Sequence, residues 1–340
     1  MPQNDDWLSQ TPEEALEPHL PILDPHHHLW DHIGRKRRDR YLLDDIVADT
    51  ASHGVRQTVF IECNSMFRAQ GPDALKPIGE TEFVQGIAAQ SASGGYGAGR
   101  VGAGIVGTAD LLLGEDIAPV LEAHLAASPN RFRGIRHRAA GPELHPIPGQ
   151  PESREHLLMD ATFRRGFALL RPYGLSFEAW VYSPSLPEVS DLAAAFPDTT
   201  IVLNHLGGPI LTDTDPDELF AAWKDDIATL AAHPQVVVKL GGIQMPVNGF
   251  GWHERATPPS SDELVETNRR WYEHAIEQFG PERSMFESNF PVDRASCSYT
   301  VLWNQFKKLS AGFSAEERLD LFHDTAARTY RLPLASDAPA

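Results

Sequence analysis

The chain has 340 residues, 41% hydrophobic and 22% charged, a balance that fits a soluble globular enzyme and excludes a disordered or membrane-spanning chain. With 29 Lys and Arg against 47 Asp and Glu, the formal charge of −18 argues against nucleic acid or an anionic membrane surface as the main partner. Two cysteines, Cys63 and Cys297, make no disulfide framework, and the polar, acidic segment from Met1 to Glu17 has no apolar stretch of a secretory signal. The expectations are therefore a cytoplasmic protein, a small-molecule substrate and a homo-oligomer that engages neither nucleic acid nor membrane.

Short runs rich in Val, Ile and Leu alternate with helical patterns along the whole chain. A strand at Leu20–Leu23 precedes a helix at Asp44–His53, and a strand at Gln57–Ile61 precedes a helix at Glu80–Ser91. Strands follow at Val101–Val106, Phe132–Ile135, Leu175–Val181 and Thr200–Leu203, with helices at Ile117–Ala127, Ser153–Leu169, Leu186–Ala195 and Pro216–Ala232. The last two strands are Gln235–Leu240 and Ser284–Phe286, with helices at Glu263–Phe279, Ser298–Leu309 and, closing the chain, Ala315–Tyr330. Eight strand–helix alternations without a linker predict the α/β class and a single-domain (β/α)₈ TIM barrel over 18–332. A short N-terminal extension (1–17) and a tail (333–340) flank it. The Gly-rich piece Ser91–Arg100 enters a strand rather than a helix and lacks the order of a phosphate loop.

In such a barrel the residues just past each strand face the active site. Here those positions hold His26 and His28, Glu62, Arg136 and His137, Glu178, His205, Lys239, and Asn289 with Asp293. In Asp24-Pro-His-His-His-Leu-Trp-Asp31, residues two apart in extended chain point to one side, so His26 and His28 can converge on one ion or one substrate oxygen. Imidazole is a common ligand of zinc and its neighbours. His205 lies in Asn-His-Leu-Gly-Gly-Pro, where the glycines permit close approach. In Glu287-Ser-Asn-Phe-Pro-Val-Asp293, Pro291 holds the preceding residues extended; Glu287 and Asp293 are the nearest carboxylates, and either can reach the site.

These segments, with Thr325-Ala-Ala-Arg-Thr-Tyr330, resemble the amidohydrolase superfamily of TIM-barrel, metal-dependent hydrolases. The closer similarity is to its lactonase-like branch, which includes 2-pyrone-4,6-dicarboxylate lactonase and sugar lactonases. The resemblance implies that His26 and His28 belong to a metal site and that His205 is a ligand or a group polarising the substrate. It also implies a catalytic aspartate after strand eight, where this chain has Asn289. Asparagine takes no proton from water, so a carboxylate elsewhere must serve: Glu62, Glu178, Glu287 or Asp293. Many relatives also have a histidine on strand five, where this chain has Glu178.

The resulting expectation is a hydrolase of a small carboxylated lactone, or a related ester or amide. Its catalytic residues are Glu62, His205, Asn289 and Asp293, and its substrate is held by Arg136, His137, Lys239 and Trp252. A divalent metal (zinc or manganese, with iron or metal-free chemistry as alternatives) is expected on His26, His28, His205 and Glu178. A non-haem iron oxygenase and an inactive paralogue serving as a partner subunit are the competing readings. The charge run Arg35-Lys-Arg-Arg-Asp-Arg40 reads as a solvated face, and the 241–261 loop as a candidate lid.

Overall fold

Each of the eight apolar runs forms a strand in the computed structural model, which describes residues 4–33, 38–141, 149–212 and 215–337. The strands are β1 (Ile22–His27), β2 (Val55–Ile61), β3 (Arg100–Gly107), β4 (Phe132–Arg136), β5 (Ser176–Ala179), β6 (Ile201–Leu203), β7 (Val236–Leu240) and β8 (Ser284–Phe286). Each pairs in parallel with the next in chain order. Parallel pairing follows from the helices, which return the chain to the same end after every strand. They are α1 (Leu43–Thr50), α2 (Ile78–Ala92), α3 (Ala118–Ala127), α4 (Ala161–Ala168), α5 (Leu186–Ala195), α6 (Pro216–Ala231), α7 (Ser261–Phe279) and α8 (Tyr299–Leu309). The circle closes beyond β8, where His28 N donates to Phe290 O (2.8 Å) and Asn289 N to His26 O (2.9 Å).

Alternation along the strands sorts the core into two layers. Ile22, Phe60, Ile105, Phe177 and Phe286 pack outward against the helices. Leu23, Val59, Ile61, Val106, Val202, Val237 and Met285 fill the lumen, together with Ala326, Ala327 and Tyr330 of the C-terminal helix (Thr325–Tyr330). That helix plugs the end of the barrel opposite the mouth and sends Tyr330, fully buried, up into the lumen.

Local chemistry explains where elements differ from the sequence expectation. The helix expected from Ser153 begins only at Ala161, because Asp160 takes extended backbone and caps it, accepting from Thr162 N (2.7 Å) and Phe163 N (3.0 Å). The closing helix is interrupted by one π-helical turn at Asp320–Asp324. An antiparallel ribbon, Trp30–Ile33 with Arg38–Tyr41, stands at the mouth where only a charge run was visible. Arg35, Lys36 and Arg37 of that run lie outside the described residues; Arg40 makes exposed ion pairs with Asp44 (3.7 Å) and Asp45 (3.6 Å), as a solvated face would. Among the described residues no helix is long and apolar enough to cross a membrane.

Candidate active site

The site is assembled from the ends of β1, β6 and β8. The register of β1 breaks between Asp24 and His27, and the three consecutive histidines separate by direction. His27 turns outward to Thr58 Oγ1 (2.8 Å) and beside Phe60, whereas His26 and His28 face the mouth. The Asp24 carboxylate fixes the β1–β8 seam, accepting from Ser288 N (3.0 Å), His26 N (3.3 Å) and the Tyr299 hydroxyl (3.1 Å). Full burial pushes its pKa up to about 6, against the lowering effect of those bonds.

His205 opens a run of left-handed backbone, with φ of +54° at His205 and +55° at Leu206, followed by Gly207 and Gly208. Non-glycine residues in this region cost of order 1–3 kcal/mol each and persist where the surroundings demand the geometry. The demand comes from Gly241 and Gly242, directly after β7. A Cβ on Gly242 would lie 1.8 Å from His205 Nδ1, and one on Gly241 would lie 2.6 Å from Glu287 Cγ. The two glycines clear the volume into which His205 and Glu287 project.

Glu287, fully buried, is the centre of the cluster. Its Oε1 accepts from His205 N (3.2 Å) and lies 2.7 Å from His205 Nδ1. Its Oε2 lies 2.7 Å from His26 Nδ1, yet no hydrogen-bond donor is directed at that oxygen. The short distance alone would suggest an ion pair, but the angles do not make one. His26 Nδ1 instead meets Lys239 Nζ at 3.2 Å, and burial, followed by the Lys239 charge, holds His26 well below the usual imidazole pKa. Glu287 Oε2 therefore faces a ring nitrogen of a histidine held neutral, with no hydrogen bond between them. His26, His205 and Glu287 each offer one ligand atom, all within 4.8 Å of one another, a nitrogen–nitrogen–oxygen set suited to zinc or its neighbours. The orphaned oxygen and this donor set fit a divalent cation.

The other sequence-selected residues surround this centre in different ways. His28 donates from Nδ1 to Ile61 O (2.8 Å), which leaves Nε2 as a lone pair 3.2 Å from Asn289 Oδ1. It lies outside the three-residue metal group. Glu62 pairs with Arg136, whose Nε donates to Oε1 at 2.5 Å and whose guanidinium lies 4.7 Å from the Trp180 ring centre. Glu178 is a buried hub: Lys239 Nζ sits 2.9 Å from Oε2, Asn204 donates to the same oxygen, and the Tyr330 hydroxyl donates to Oε1. His137 has both ring nitrogens committed to backbone, accepting from Leu111 N (3.2 Å) and donating to Glu152 O (2.7 Å). Asp293 accepts from Asn289 Nδ2 (2.9 Å), and burial, with the nearby Glu287 charge, pushes its pKa well above the carboxylate range. Trp252 stacks on Phe250 and under Arg255 in the loop after β7.

Residues 23–332 match the family model described as Amidohydrolase. The chain belongs to the amidohydrolase family. A protein of Sinorhizobium fredii with no assigned activity is 33% identical over 332 residues, covering 92% of this chain and 99% of its own. L-fucono-1,5-lactonase of Burkholderia multivorans is 29% identical, covering 93% of this chain and 98% of its own. Among solved structures, an amidohydrolase from Burkholderia multivorans with bound zinc is 26% identical, with a TM-score of 0.70 over 92% of this chain and 99% of that one. A putative 2-pyrone-4,6-dicarboxylic acid hydrolase from Pseudomonas putida, 18% identical with a TM-score of 0.64 over 92% of this chain and 98% of that one, shares the fold. This amidohydrolase is a hydrolase built on a (β/α)₈ barrel, and its strand-eight carboxylate within the histidine cluster is Glu287, two residues before Asn289.

Proposed function

We propose that this amidohydrolase opens the ring ester of a small, hydroxylated lactone of the sugar-acid type. The observation that carries the reading is the buried Glu287 oxygen with no donor, set between His26 and His205 at the barrel mouth. Support for a lactone comes from two relatives named L-fucono-1,5-lactonase and one named L-rhamnono-gamma-lactonase. Arg136, expected from the sequence to hold a substrate carboxylate, has its charge matched by Glu62, so hydroxyl groups suit the site better than a second carboxylate.

His26, His205 and Glu287 would hold a divalent ion, which when bound supplies Lewis acidity for an ester carbonyl. Glu287 would also take the proton of the attacking water. The water oxygen adds to the carbonyl carbon, the ring C–O bond breaks, and the proton passes to the departing alkoxide, giving a hydroxy acid. The His28 Nε2 lone pair and Asn289 Oδ1 offer acceptors for the water or for substrate hydroxyls. Burial, with the charge of Lys239 (itself paired with Glu178) added to it, keeps His26 neutral and able to act as a ligand.

The test is proton release, followed with a pH indicator, from a panel of aldonolactones and 2-pyrone-4,6-dicarboxylate. Saturable hydrolysis of at least one aldonolactone, faster than that of the dicarboxylate, is expected; no rate above background on any lactone with metal-loaded protein refutes the reading. The same two-histidine, one-carboxylate set is also the donor pattern of non-haem iron oxygenases. Iron as the resident metal of untagged protein, with oxygen consumption and no hydrolysis, would favour that second reading.

A further inference from the structure

The end of the barrel opposite the mouth carries a basic groove in an acidic protein. It encloses about 820 Å³ between the starts of β2 and β3, the approach to β4, and the chain at Arg331–Pro333. Arg56, Arg100, Arg131, Arg133 and Arg331 line it, and no aspartate or glutamate does. For a chain with 47 acidic and 29 basic residues, this local reversal of sign needs a physical reason.

The described residues do not neutralise these charges. Among the described residues none of the five makes an ion pair with a carboxylate; their donors go to neutral oxygens. Arg56 Nη1 donates to Ala335 O (2.8 Å), Arg100 Nη1 to Ala98 O (2.7 Å), Arg131 Nη1 to Gln85 Oε1 (3.2 Å), Arg133 Nε to Tyr330 O (2.6 Å), and Arg331 Nη2 to Arg133 O (3.3 Å). Carbonyls satisfy N–H groups but carry no charge. The mutual repulsion is visible at Arg133, whose pKa is lowered by burial and then by the charges of Arg331 and Arg131. Three of these residues also tether the C-terminal segment through its backbone or beside it. Arg100 and Arg131 tether nothing there, and a tether through carbonyls requires no positive charge.

A guanidinium fork binds carboxylate and phosphate oxygens bidentately, and like charges held together lower their free energy by sharing an anion. The volume falls in the ~300–1,000 Å³ range of small-molecule sites. We propose that this groove binds a small multivalent oxyanion, a phosphate ester or a polycarboxylate, at a site separate from the catalytic mouth. His19 and Asn130 on the rim add polar contacts for hydroxyl groups on such a ligand.

Calorimetric titration of the full chain at low ionic strength, with inorganic pyrophosphate in one arm and tricarballylate in the other, tests this. Saturable one-to-one binding in at least one arm is expected, and the arm that binds identifies phosphate or carboxylate chemistry. The double variant Arg100→Gln with Arg331→Gln, both at exposed positions, is expected to weaken binding at least tenfold while leaving the hydrolytic rate unchanged. His205→Ala, at the mouth, is expected to leave binding unchanged, which separates the groove from any affinity of pyrophosphate for a metal there. Absence of saturable binding in both arms, binding that survives the double arginine substitution, or binding lost in His205→Ala overturns the proposal.

Discussion

Replacing Glu287 by Gln keeps the side chain's shape and removes its charge. In the native site, two bonds from His205, its backbone N–H (3.2 Å) and its Nδ1 (2.7 Å), converge on one charged oxygen. Charge-assisted bonds contribute about 1.5–3 kcal/mol against about 1 for neutral ones, so the substitution costs roughly 1–4 kcal/mol of local stability. An amide nitrogen in place of Oε2 would face His26 Nδ1 at 2.7 Å, where it cannot act as a metal ligand or accept a proton. The proton-transfer loss adds a factor of about 10²–10⁴ in kcat, or about 2.7–5.5 kcal/mol in the barrier. Initial rates of lactone hydrolysis, metal content by mass spectrometry and urea unfolding would be measured together. The expected result is a folded protein with kcat lower by at least 10² and metal reduced several-fold. Glu62→Gln, which loosens Arg136 and reaches the cluster only through the Arg136 Nη1–His26 Nε2 contact (3.4 Å), is expected to lose only about tenfold, ~1.4 kcal/mol in the barrier. A Glu287→Gln variant with near-normal kcat, beside a dead Glu62→Gln, would refute this assignment and move the base to the end of β2.

His26→Ala and His205→Ala are each expected to lower bound metal several-fold, and His28→Ala to retain it while raising KM; equal metal loss in all three would place His28 among the ligands. Lys239→Met strands the Glu178 charge in the lumen and should cost about 3–5 kcal/mol in urea unfolding, with much of it recovered by adding Glu178→Gln. Glu80, whose pKa is pushed up to about 8 by burial and the Glu62 charge, binds its proton in the fold above pH 4.5, where the unfolded chain has lost it. Stability from this group therefore falls as pH rises from about 4.5 to 8, so Glu80→Gln should raise the melting temperature relative to wild type at pH 8.5, with the gap closing by pH 5.

The barrel was legible because each strand is a short apolar run between helical patterns, and burial on both faces of a parallel sheet leaves that signature. All eight strands overlap their sequence-assigned runs, and the ends that shifted are those set by caps and register breaks, such as Asp160 before α4 and the bulge in β1. Strand-end position pointed to His26, His205, Arg136, Glu178 and Lys239, which the fold brings close together. It could not say which carboxylate meets which histidine, because a one-residue change of register reverses the direction of every side chain. The sequence carries one further signal for this site: Gly241-Gly242 directly after β7, where adjacent glycines at a strand end mark a close approach by something from across the barrel.

Four carboxylates stood as candidates to replace the family aspartate at Asn289, and their surroundings separate them. Glu62 is committed to Arg136 through both its side chain and its backbone carbonyl. Glu178 receives Lys239, Asn204 and Tyr330, so little lone-pair capacity is left for a ligand or a proton. Burial and the charge of Glu287 push Asp293 well above the usual carboxylate range, and its oxygens accept from Asn289 Nδ2 (2.9 Å) and Gln244 N (3.4 Å) rather than facing the histidine pair. Glu287 differs from all three: one oxygen binds His205, and the other faces His26 with no donor. Glu287 follows the last residue of β8 directly and reaches the cluster from the strand end, whereas Asn289, two residues on, has left-handed backbone (φ +53°). Asn289 then occupies the vacated position as a neutral group, donating to Asp293 and offering its carbonyl beside His28. Replacing Asn289 by Asp would place a second charge within reach of Glu287 and Asp293. One of the three would then have to hold a proton, so Asn289→Asp is a less active enzyme on this reasoning, and a gain in kcat would count against it.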